Sequence, residues 1–231
     1  MLNDRKYPVH ESTQDSPWGG VQSQLNVDNN VVTYLKQVYS LLASSLLVAV
    51  AAGYVGMTLP FAREHPIILM LLMFGAMFLA FKVQNAATLF LFTGISGLSV
   101  GPVIAHYIGA GLSGVVGQAA FLTGAVFTGL SVYSMTTKRD LSMMHGMLFA
   151  GLIVIMVGGL INLFVHSTAL SFAMSAAGSV IFAGYILYET QQLKTNPWAT
   201  SPSVAALSMY LNILNLFLSL LRLLGILGGD E

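Results

Sequence analysis

Apolar residues gather in seven windows of about twenty, separated by short stretches rich in charge, Gly or Pro. That pattern predicts seven helices able to cross a hydrocarbon core about 30 Å thick. The windows cover residues 37–58, 66–81, 86–107, 115–136, 142–165, 168–188 and 204–227. The second is short for a bilayer, so it is expected either to recruit Phe61 and Ala62 or to let Lys82 snorkel to the interface. The connections are all short, which makes neighbouring helices antiparallel and leaves no room for a second folded domain. Ahead of the windows lies a polar segment with Pro8, Pro17 and several acidic residues, and no apolar run of the signal-peptide kind. It reads as a flexible tail, which divides the chain into residues 1–32 and a seven-span domain, 33–231.

The last window differs from the others. Ser208, Asn212, Asn215, Ser219 and Arg222 recur along it at intervals of 4, 3, 4 and 3, a spacing that puts all five on one helical face. The stripe runs roughly 20 Å at 1.5 Å rise per residue. A polar face of that length cannot contact lipid throughout, so the other helices must shield it. The expected architecture is an all-α membrane bundle with the C-terminal helix at its centre. The stripe reads first as a hydrogen-bonded central post and second as a pore lining.

Composition agrees: 55% of the 231 residues are hydrophobic, only 8% are charged, and mean hydropathy is +0.76, where soluble domains carry about 25% charge. The chain has no Cys, which removes disulfides, thiolate catalysis and Cys-ligated metals. Its net charge is zero and its basic residues form no run, so nucleic acid is not an expected partner. Their distribution does predict orientation. With the N-terminus cytoplasmic, Arg5, Lys6, Lys36, Lys82, Lys138, Arg139 and Lys194 fall inside and Arg63 alone falls outside, while Arg222 lies within a span. Seven spans then put the C-terminus on the outer side.

Gly94, Gly97 and Gly101 share one side of the third span, where small residues let helix backbones approach closely. The same span contains Gly97-Leu98-Ser99-Val100-Gly101 with His106 beyond it, matching the letters of a serine-hydrolase elbow. Those mechanics require a strand-to-helix turn, and the window predicts continuous helix. None of the five His forms a zinc-binding pair with another, and no phosphate-cradling loop occurs. No catalytic residue, cofactor or multi-ligand metal site is therefore assigned.

Two intramembrane charges remain. Glu189 closes the sixth span near the cytoplasmic face, as a candidate proton or cation site and weak candidate metal ligand, or as a solvated carboxylate at a helix end. Arg222 lies about 15 Å from Asn212 along the helix, toward the outer side. It either snorkels or finds helix carbonyls, lipid phosphates or the terminal Asp230 and Glu231 as partners. Counting inward from each predicted helix end leaves Glu189 and Asn212 several residues apart in depth.

The segment Tyr185-Ile186-Leu187-Tyr188-Glu189-Thr190-Gln191, followed by the stripe-bearing residues 205–225, resembles the paired signature of the Bax inhibitor family of seven-span proteins. Gly101-Pro102 with His106-Tyr107, and Lys138-Arg139-Asp140-Leu141-Ser142, match it in order, and the resemblance covers residues 33 to 229. Within the family the chain is similar to the bacterial YccA branch. That resemblance implies a multi-pass protein of the inner (plasma) membrane that binds and restrains an FtsH-type ATP-dependent protease. Its role would be that of a slow substrate or competitor engaged through the cytoplasmic tail, not of an enzyme. In family members that leak calcium in a pH-dependent way, an acid ending the sixth span pairs with one in the seventh. Glu189 matches the first, Asn212 stands in place of the second, and Arg222 matches an Arg further along. Asn cannot ionise, so a proton shared between two carboxylates is lost, and the second span supplies no acid either. A pH-sensitive leak of calcium or protons is thus the alternative implied function.

Overall fold

The computed structural model describes residues 19–197 and 199–229. Eight α-helices follow in order: α1 (Gly19–Thr58), α2 (Pro60–Glu64), α3 (Pro66–Val83), α4 (Ala86–Gly109), α5 (Ser113–Thr136), α6 (Met144–Val165), α7 (Thr168–Thr195) and α8 (Pro202–Gly228). All but α2 are long and apolar enough to span a membrane, the first counted from Asn29, so the chain is an all-helical, multi-pass membrane protein. The first helix starts well before its apolar window. Residues 19–30, expected in the flexible tail, are helical, while residues 1–18 of that tail lie outside the described residues.

Local chemistry sets the breaks. Pro60 and Pro66 each open a helix at a position where the missing N–H costs nothing. Phe61 and Ala62 accordingly form the separate α2 instead of extending the second span, and α3 crosses with 18 residues ending beside Lys82. Between α3 and α4 two residues suffice. Gln84 adopts a left-handed conformation, φ 55°, and the Asn85 side chain accepts a 2.9 Å bond from Thr88 N–H to cap α4. Left-handed His166 closes α6 in the same way, and Ser167 caps α7 by accepting from Leu170 N–H. Gly111, φ +81°, supplies the turn after α4, where a Cβ would be strained.

Two helix pairs dominate the packing, α1 with α4 and α7 with α8. The eighth helix also touches α5, α1, α4 and α3, and half of its most apolar window is buried, against 6% for α6, which packs on α7 alone. The expected central C-terminal helix is thus present, surrounded by five of the six other spans. Around it the core gathers Val38 and Leu42 of α1, Phe92 of α4, Ile186 of α7, and Met209 and Leu216 of α8.

The α1–α4 seam is built from backbone. A Cβ placed on Gly56 would sit 2.5 Å from Leu98 O, and one on Gly101 would sit 2.6 Å from Gly53 O. A Cβ on Gly97 would collide with Ala49 O. Each of these glycines therefore directs a Cα hydrogen at a carbonyl of the facing helix, the close approach that small residues permit in membranes. Pro102 contributes here. It lies inside α4 and has no N–H for Leu98 O, the carbonyl that Gly56 approaches. Of the expected glycine stripe, Gly97 and Gly101 carry the contact, while Gly94 makes ordinary packing against Val48.

Candidate functional site

Beyond its apolar window α7 continues for more than a turn through Glu189-Thr190-Gln191-Gln192 before ending at Thr195. The polar residues that look like a helix end are held inside the bundle by neighbours. Gln191 donates through Nε2 to Arg139 O at 2.6 Å and accepts from Leu141 N–H at 2.7 Å, so one amide pins the α5–α6 loop. Ser134 of α5 donates to Leu187 O at 2.9 Å, and Lys194 Nζ donates to Met135 O at 2.8 Å. Thr190 is fully buried. Glu189 is consequently not a solvated carboxylate at a helix terminus. It lies six residues before the end of α7, partly buried, with its side chain against α8.

There it meets Asn212. The Asn212 amide donates to Glu189 Oε2 at 2.7 Å, and Asn212 is 7% exposed. The depth gap expected from sequence is closed because α7 extends past Glu189 and the two helices meet antiparallel. An amide can serve this carboxylate as donor but cannot share a proton with it as a second acid would. Next to Glu189 in α7, Thr190 is buried, and Tyr39 of α1 reaches toward its hydroxyl and that of Ser131 of α5. Among the described residues the Ser45 hydroxyl of α1 is buried without a hydrogen bond, a costly state in a membrane interior.

The rest of the stripe divides. Ser208 and Asn215 are partly buried, and the Asn215 amide turns back to Leu211 O of its own helix at 2.8 Å. Ser219 packs against α7 where Gly178 has no side chain: a Cβ there would lie 2.7 Å from Ser219 Oγ. Arg222 is exposed, at the opposite end of the bundle from Glu189. The stripe is therefore shielded over its Asn212 half and open at Arg222.

Two features escaped sequence reasoning. Tyr210, two residues from Asn212 and so on the other side of α8, places its hydroxyl 2.6 Å from Ser96 Oγ of α4. Its ring stands edge-on to Phe92 with centroids 5.9 Å apart. A tyrosine in mid-span was the available signal, since a buried hydroxyl needs a partner. The Gln191 clamp was the other, signalled only by a second polar residue after Glu189. Ser99, the candidate elbow nucleophile, lies within unbroken α4 and donates to Ile95 O at 2.9 Å. His145 packs its ring against Tyr188 at 5.3 Å.

Comparison with known proteins agrees with this arrangement. The sequence model of the family described as "Inhibitor of apoptosis-promoting Bax1" matches residues 31–229. A membrane protein of Vibrio cholerae is 39% identical over 204 residues, 85% of this chain and 91% of that protein. "Modulator of FtsH protease YccA" of Escherichia coli is 34% identical over 200 residues, with 85% and 91% covered. "Protein lifeguard 4" of Mus musculus is 30% identical over 233 residues, 96% of each chain.

Proposed function

The chain belongs to the Bax inhibitor family, and from that membership we propose that it is a non-enzymatic regulator in the bacterial inner membrane. It binds an FtsH-type ATP-dependent protease and restrains it, as a slow substrate or competitor. The observation that carries the reading is the 34% identity, across nearly the whole seven-span domain, to a protein named as a modulator of that protease. The seams are consistent with it. A protease that pulls substrates from the cytoplasmic end must separate helices, and the α1–α4 contact of backbone on backbone resists that. The segment ahead of α1, with the N-terminus cytoplasmic, offers the handle: about 18 residues reach roughly 60 Å when extended. The test is affinity purification from native membranes. The protease is expected among the captured proteins, and a chain lacking residues 1–18, ahead of α1, is expected to live longer in cells. Absence of any association sinks the reading.

A second reading, a cation leak gated at Glu189, is favoured by one observation: the only acid of α7 and α8 sits at their seam, against the Asn212 amide. One carboxylate and one amide fall short of the roughly six to eight oxygens that calcium takes, and so this reading stands second. It expects pH-dependent calcium flux in proteoliposomes that Glu189→Gln abolishes. A flux-silent wild type removes it.

A further inference from the structure

At the end of the bundle away from Glu189, α6 and α8 do not pack together, since α6 contacts α7 alone. The gap between them is a groove of about 410 Å³ floored by the start of α7. Its walls are two-sided in chemistry. Leu163 and Met174 line it with apolar surface, while Asn162, His166, Thr168 and Arg222 bring polar groups. Asn162 is already committed, donating to Ser171 Oγ at 2.6 Å and accepting from Ser167 N–H at 2.9 Å. The Arg222 guanidinium is not: it is exposed and makes no hydrogen bond or ion pair with a described residue.

Its cationic charge has no counter-ion in the surrounding helices. There is no acidic residue in α5, α6 or α8, and the only one in α7 is Glu189 at the far end. His166 is committed as well, its Nδ1 lying 3.1 Å from Phe164 O, a carbonyl that can only accept. Thr168 opens a 28-residue helix whose positive end faces this region. Arg222 lies six residues before the end of α8, roughly 9 Å along the helix axis, from where its long side chain can snorkel to lipid phosphates. Only 6% of the α6 window is buried inside the bundle, so a groove along it opens toward the surrounding bilayer.

We infer that this groove binds an anionic phospholipid, with the phosphate on Arg222 and an acyl chain along Leu163 and Met174. Full-length protein in detergent is titrated with phosphatidylglycerol or with phosphatidylcholine of matched chains, and bound lipid is counted by native mass spectrometry. Wild type is expected to prefer the anionic lipid about 10-fold, and Arg222→Gln to reduce the preference to within about twofold, while Arg222→Lys keeps most of it. Gly159→Leu probes the groove with the charge left in place. Its Cβ meets nothing within 4 Å, so the fold tolerates it while the larger side chain competes with lipid.

Equal affinity of wild type for the two lipids overturns the inference, as does a preference that survives both Arg222→Gln and Gly159→Leu. Displacement of the lipid by millimolar inorganic phosphate would make this a small-anion site and equally overturn it. So would a preference that emerges only when Asp230 and Glu231 are neutralised, since the chain's own carboxylates would then be the occupant.

Discussion

The two dominant helix seams do the same mechanical task by opposite means. Along α1–α4 the backbones approach until glycine hydrogens meet carbonyls, with almost no side-chain chemistry between them. Along α7–α8 an ionisable residue is held by an amide. The first seam has no room for an added atom at Gly56, Gly97 or Gly101. The second is held by one specific bond and contains a titratable group. Rigidity and chemistry are thus assigned to different halves of the bundle, which is how a membrane protein can present a polar site without losing its fold.

Substitution should break the two seams differently. The largest effect is expected for Gly101→Leu, whose Cβ would lie 2.5 Å from Gly56 C and 2.6 Å from Met57 N. Backbone cannot yield as a side-chain tip can, and a loss of about 3 kcal/mol or more is expected as a lower unfolding midpoint in detergent. Gly75→Leu, at a lipid-facing position where a Cβ meets nothing, is the matched control and should change stability by less than about 0.5 kcal/mol.

In the polar seam, Asn212→Leu leaves Glu189 without its donor and is expected to cost about 2 kcal/mol. Glu189→Gln keeps an acceptor for the Asn212 amide and should cost less than about 1 kcal/mol. Equal costs for the two changes would mean that the bond is not what holds the seam. Gln191→Ala should cost about 1 kcal/mol globally, while hydrogen exchange at the amides of residues 138–142 accelerates, since the clamp on that loop is gone. The smallest effect belongs to Ser99→Ala, which removes only a bond within α4, and no measurable change in stability is expected.

These differences also show what a sequence carries. The seven spans were legible because a bilayer demands about twenty apolar residues per crossing, and the glycines at 97 and 101 were legible because close approach needs a repeated absence of side chains. The central position of α8 followed from a stripe that lipid cannot solvate. The end of α7 was misplaced because Glu189-Thr190-Gln191 looks like a solvated terminus. Those residues stay inside because loop and helix groups far along the chain bind them, and no local pattern records that. The meeting of Glu189 with Asn212 depends on how two helices are staggered, a property of their packing. Nor does hydropathy alone show that α6, the most apolar span, is peripheral, since a helix apolar all round suits either core or lipid.

The central claim, that this bundle restrains a processive membrane protease, is tested most directly in proteoliposomes holding an FtsH-type protease, ATP and an unrelated membrane substrate. Wild-type chain in excess is expected to slow degradation of that substrate several-fold, and the Gly101→Leu variant, more easily extracted, to slow it for a shorter time. Degradation of the substrate at an unchanged rate in the presence of excess wild-type chain would contradict the account.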